Sequence, residues 1–69
     1  MFIYNDKTNV SFIAHTVHDR SGGYAAVVSQ RIGNNQKSLS RVVFPTRSKA
    51  YYNAVKLCKI YAANHAYTN

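Results

Sequence analysis

Phe44-Pro45-Thr46-Arg47-Ser48-Lys49-Ala50 is where the chain changes its period, and that change decides the fold. Proline fixes φ and lacks an amide hydrogen, so the run before it ends there. Thr46 or Ser48 then offers a side-chain oxygen to a free amide of a first helical turn. From Arg47 to Asn69 there is no further Pro or Gly. Ala50, Ala54, Leu57, Cys58, Tyr61 and His65 fall near one side at helical spacing, and Tyr51, Val55 and Ala62 widen it. Lys49, Tyr52, Asn53, Lys56, Lys59 and Ala63 lie mostly opposite. A helix over about 47–66 is expected, apolar side inward and cationic side outward. The small Ala50 and Ala54 permit it a close approach to whatever it covers.

Before Phe44 the period is that of strands. Three polar clusters punctuate the chain: Asn5-Asp6-Lys7-Thr8-Asn9, Asp19-Arg20-Ser21-Gly22-Gly23 and Gly33-Asn34-Asn35-Gln36. Gly, Asn and Asp tolerate the positive φ that hairpin turns need. Between the clusters lie β-branched and aromatic runs at about 10–18, 24–32 and 38–44, with a short edge strand at about 2–4 as a further candidate. Short connections between consecutive strands imply an antiparallel meander. The expected architecture is α+β: a three-stranded antiparallel β-meander, four-stranded if residues 2–4 pair, packed on one C-terminal α-helix.

The chain has 69 residues, enough for a single domain over 1–69 with a thin core. Beginning at Met1, it is expected to be a whole small protein. With 46% hydrophobic residues it is apolar enough to fold. One cysteine, Cys58, excludes an intrachain disulfide and fits a reducing interior such as the cytoplasm. The apolar start Met1-Phe2-Ile3-Tyr4 is too short for a secretory leader or a membrane span.

Charge carries the functional information. Nine Lys and Arg residues face two acids, Asp6 and Asp19, for a net charge of +7. Such a chain repels itself unless a polyanion or an acidic surface neutralises it. Arg20, Arg31, Lys37, Arg41, Arg47 and Lys49 cluster in sequence around the hairpins and the helix start. If about five of them each neutralise a phosphate, nucleic-acid affinity falls with a log–log salt slope of roughly −4 to −5. A cationic surface that serves only solubility is the alternative. Strand alternation puts Val27, Val43 and Leu39 beside Arg31 and Arg41 on the sheet face away from the helix. That face is expected to meet a partner, unless a strand, a terminus or a second copy covers it in a homo-oligomer.

The run Gly23-Tyr24-Ala25-Ala26-Val27-Val28, then a basic hairpin, then Phe44-Pro45-Thr46-Arg47-Ser48-Lys49-Ala50, resembles the arm-type DNA-binding domain of tyrosine recombinases (phage integrases), which is related to the plant AP2 fold. The resemblance covers about residues 22–55. It implies a three-stranded sheet that enters the major groove, with Arg31 and Arg41 reaching bases and phosphates and Lys37 assisting from the hairpin. The outward positions hold more Val and Leu than a groove reader needs, and these 69 residues do not include a recombinase catalytic domain. In architecture alone the chain is also similar to small phage-encoded proteins, some anti-CRISPR proteins among them.

Other chemistries find little footing. There is no Glu, and both Asp residues sit in turns, so no catalytic set is expected. His15 and His18, three apart on a strand, point to opposite faces, and Cys58 with His65 does not complete a metal site. No cofactor and no metal are expected. Tyr24, Tyr51 and Tyr61 fall at core spacing, whereas Tyr52 projects from the polar helix side near Lys56, Lys59 and Ile60. The leading expectation is a small DNA-binding protein of a phage or other mobile element. The rival is an inhibitor that covers an acidic host protein or nucleoprotein complex with Val27, Leu39, Val43, Tyr52, Lys56, Lys59 and Ile60.

Overall fold

The computed structural model describes residues 2–5 and 9–68. Strands β1 (Phe2–Asn5), β2 (Val10–His18), β3 (Tyr24–Ile32) and β4 (Asn35–Phe44) precede one helix, α1 (Arg47–Thr68). The strands form one antiparallel sheet in the order β1-β2-β3-β4. This is the expected α+β meander with its fourth, edge strand in place. Asp6, Lys7 and Thr8 of the first expected turn lie outside the described residues.

Turn chemistry sets the register. Gly33 (φ 59°) and Asn34 join β3 to β4, with Ile32 opposite Asn35. Glycine at the first central position of a two-residue hairpin loop matches the right-handed twist of the flanking strands. The turn is therefore tighter than the four polar residues there imply, and β4 starts at Asn35 rather than near Ser38. Between β2 and β3 the turn closes on itself: Gly22 N donates to Asp19 O and Asp19 N donates to Gly23 O, both at 3.1 Å. Gly23 has φ 81°, and a Cβ there would stand 2.7 Å from the Phe44 carbonyl oxygen. Only glycine lets β3 begin this close to the end of β4.

Side-chain alternation divides the sheet. Val10, Phe12 and Ala14 of β2 and Ala26 and Val28 of β3 face α1. Against them the helix sets Ala50, Ala54, Cys58 and Ala62, all buried. These recur every fourth residue, so they form one ridge along the helix. Their small size brings the helix axis near the sheet, and Phe12 fills the space between. Full burial of a phenylalanine side chain stabilises by roughly 1.5–3 kcal/mol. Near the helix end the His65 ring meets Phe12 edge-on, with centroids 5.7 Å apart. Thr46 caps the start: its Oγ1 accepts from Lys49 N at 3.2 Å, and its carbonyl accepts from Ala50 N at 3.1 Å. Of the two candidate caps, Thr46 takes the role.

Two expectations about packing need correction. Tyr51, placed in the core by its spacing, is exposed, because the buried ridge is narrower than the stripe of apolar letters. Leu39 was expected on the face away from the helix and instead packs against the core cluster beneath α1. The cause is a bulge: Val28 pairs with Ser40 and Ser29 with Ser38, so Leu39 is an extra residue and the alternation of β4 slips there. Among the described residues no helix is long and apolar enough to cross a membrane.

Candidate nucleic-acid interface

The sheet face opposite α1 is covered by no element among the described residues. Register puts four rows of side chains on it. At the end next to the β3–β4 turn stand Ser11, Arg31 and Gln36. The next row is Ile3, Ile13, Ser29 and Ser38. Then come His15, Val27 and Arg41, and finally Val17, Ala25 and Val43. The middle of the face is shielded despite the missing layer: Ala25 is 0% and Ser29 4% exposed. Neighbouring strands place side chains about 4.5–5.5 Å away, close enough to screen small residues between them. The groups that reach solvent are therefore on the flanks. On the β3–β4 side they are Arg31, Gln36, Ser38, Arg41 and Val43. Arg31, Gln36 and Ser38 sit toward the β3–β4 turn, and Arg41 and Val43 toward the β2–β3 turn.

Both arginines are held through their guanidinium groups. Arg31 Nε donates to the Gly33 carbonyl at 3.2 Å, folding its side chain toward the hairpin. Arg41 Nη2 donates to Asp19 Oδ1 at 2.7 Å across the sheet end, and the arginine side chain remains 51% exposed. Asp19 also accepts from Ser21 N at 3.1 Å and from the Ser21 hydroxyl. The Ser21 side-chain bond, then the Arg41 guanidinium and the Ser21 amide, lower the Asp19 pKa to about 2. One of the chain's two acids thus orients a cation on the open face. A guanidinium has five N–H donors, so donors remain for another acceptor. Along the strands Arg31 and Arg41 are four positions apart, about 13 Å.

The six cations expected to form one binding surface do not share a face. Arg31 and Arg41 are on the open face, and Arg20 is exposed in the turn beside Asp19. Lys37 pairs with Gln30 and so belongs to the helix side of the sheet. Arg47 and Lys49 are exposed on the first turn of α1. The reason is tertiary: adjacent positions at a hairpin or a helix start point in different directions once the chain folds. The rival set divides as well. Val27 and Val43 are on the open face, Leu39 is under the helix, and Tyr52, Lys56, Lys59 and Ile60 are exposed on α1. They do not make one basic and apolar face.

Sequence reading missed two members of the open face, Gln36 and Ser38. Only the two-residue turn and the bulge determine that they line up beside Arg31. His15 faces this side and His18 faces the helix side, where its ring meets Tyr24 edge-on at 5.2 Å. Among the described residues no three His, Cys, Asp or Glu side chains gather to hold a metal ion. Burial pushes the Cys58 thiol pKa up, which keeps it protonated and unreactive. No protein-family model, curated protein or solved structure matches this chain.

Proposed function

We infer that this protein binds duplex DNA on the open face of its sheet. The observation that carries the reading is an uncovered face in a chain of charge +7, bearing Arg31, Gln36 and Ser38 toward one end and Arg41 about 13 Å along the strands toward the other. Arginine offers two parallel donors to guanine edges and to phosphates, and serine and glutamine supply adaptable donors and acceptors. Asp19 holds Arg41 in place before any ligand arrives, which reduces the ordering cost of contact. The resemblance of residues 22–55 to arm-type domains points to the same face, and a mobile-element source suits it. A lone buried thiol accords with a reducing cell interior.

The face suits a duplex better than a single strand. Single strands are gripped by aromatic rings on which bases stack. The rows of the open face contain His15 but no Tyr or Phe, while Tyr51 and Tyr52 are exposed on the helix instead.

If Arg20, Arg31 and Arg41 each neutralise one phosphate, the salt slope is about −2.7, shallower than six cations on one face give. The test is a fluorescence anisotropy titration of a labelled duplex at several salt concentrations. Arg31→Ala with Arg41→Ala is expected to weaken binding at least tenfold at moderate salt and to flatten the slope by about 1.8. Lys56→Ala with Lys59→Ala removes the same charge from the helix and is expected to change affinity less than about threefold. Equal losses from the two pairs refute the open face as the docking surface.

A further inference from the structure

The helix leaves one side of the sheet unattended. It packs chiefly on β2 and β3 and only lightly on β4. Between α1 and β4 runs a groove of about 250 Å³, floored by Ala26 and Ala54 and walled by Val42, Phe44, Leu57 and Ile60. Val42 and Ile60 are each 47% exposed, so this apolar strip is wet. The groove borders a sheet edge that is free among the described residues, where β4 pairs with β3 alone. An edge strand presents unpaired N–H and C=O groups at alternate residues. The bulge at Leu39 interrupts the edge, which leaves residues 40–44 as a regular stretch beside the groove.

We propose that residues 40–44 of β4 accept an extended acidic segment of another protein as a fifth strand. An added strand lies about 4.8 Å beyond β4, and every second side chain of it points to the helix side. Apolar side chains there cover Val42 and enter the groove under Ile60. The intervening side chains emerge on the open face next to Arg41. Lys56 stands at the rim of the groove, and the chain contains no carboxylate side chain after Asp19. Carboxylates alternating with aliphatic residues complement both sides of that seam. This is recognition by strand addition, with main-chain bonds supplying affinity and alternate pockets supplying specificity. A second copy of this chain is a poor occupant. It brings the same +7 and a second Arg41 to the seam, and like charges on neighbouring strands repel. The seam shares Arg41 with the surface assigned to DNA, but its groove and edge hydrogen bonds do not depend on DNA binding, so the peptide titration can fail while the duplex titration succeeds, and the reverse.

The probe is a labelled seven-residue peptide alternating valine and glutamate, titrated by anisotropy at moderate salt. Two peptides of the same charge serve as controls: one N-methylated along its pairing edge, the other with its valines and glutamates in separate blocks. Saturable binding at least fivefold tighter than to either control is expected. Val42→Thr and Ile60→Ser, both at exposed positions, are each expected to weaken the alternating peptide at least threefold while the circular dichroism spectrum stays unchanged. Equal binding of all three peptides means that only bulk charge is being read and overturns the proposal. So does binding that ignores both variants, or a dimer of the free protein seen by light scattering.

Discussion

Gly23→Ala tests the closest approach in the fold. Gly23 has φ 81°, and the added methyl group would stand 2.7 Å from the Phe44 carbonyl oxygen and 3.5 Å from Val43 Cγ1. The first neighbour is backbone of an adjacent strand and cannot rotate away. Gly22 supplies the reference, because it has φ 94° with nothing within 4 Å of an added Cβ. Both substitutions place a side chain in a left-handed conformation, which costs roughly 1–2 kcal/mol. Both also reduce the entropy of the unfolded chain by a similar amount, so that contribution cancels in the comparison. What remains for Gly23→Ala is the displacement of Phe44 from its place opposite Tyr24, where overpacking costs typically 1–3 kcal/mol. A chain of this length has a total stability of roughly 3–10 kcal/mol, so the loss is a large fraction. Urea denaturation followed by far-ultraviolet circular dichroism measures it. Gly22→Ala is expected to destabilise by about 1–2 kcal/mol and Gly23→Ala by about 2–5 kcal/mol, with similar m-values. Equal destabilisation by the two variants refutes the close approach of β3 to β4.

Two further perturbations follow from the packing and the turn. Ala54→Leu forces three extra carbons between α1 and the floor of the groove at Ala26, and is expected to destabilise by about 1–3 kcal/mol, whereas Tyr52→Ala on the exposed helix side stays within about 0.5 kcal/mol in the same urea assay. Asp19, whose folded pKa is lowered from 3.8 to about 2, contributes stability that is present above pH 4 and lost as pH falls toward 2. Thermal melts of the wild type are therefore expected to fall through that window relative to those of Asp19→Asn, and parallel profiles for the two proteins contradict the Asp19–Arg41 clamp.

The elements were legible because their punctuation is chemical. Gly22-Gly23 and Gly33-Asn34 end runs of strand residues, and Pro45-Thr46 separates a strand from a capped helix. Side-chain direction was legible only while alternation held. The bulge adds one residue to β4 and carries Leu39 from the open face to the helix face, and nothing in the letters Lys37-Ser38-Leu39-Ser40 marks it. The same insertion determines which serine stands beside Ser29. The dispersal of the basic residues was equally hidden. Arg47 and Lys49 are close in sequence to Arg41, but a cap and a change of period turn them onto another element. The Asp19–Arg41 pair joins positions 22 residues apart, so it emerges only when the meander brings the β2–β3 turn to the end of β4. The position of the helix over β2 and β3 follows from the fit of Ala50, Ala54 and Cys58 against Phe12 and Val28. Periodicity showed which side of the helix is buried, not which strands lie beneath it.

All eight described Lys and Arg residues are exposed, so exposure alone marks no site. What distinguishes the open face is that two of them are anchored there, beside uncharged hydrogen-bonding groups, with no layer above. The most direct measurement is a chemical-shift titration of isotope-labelled protein with a short duplex at low salt. Backbone amides of Ser29, Arg31, Gln36, Ser38 and Arg41 are expected to move together and to saturate. Perturbations gathered instead on Tyr52, Lys56, Lys59 and Ile60, or spread evenly over every exposed cation, would contradict a docking face on the sheet.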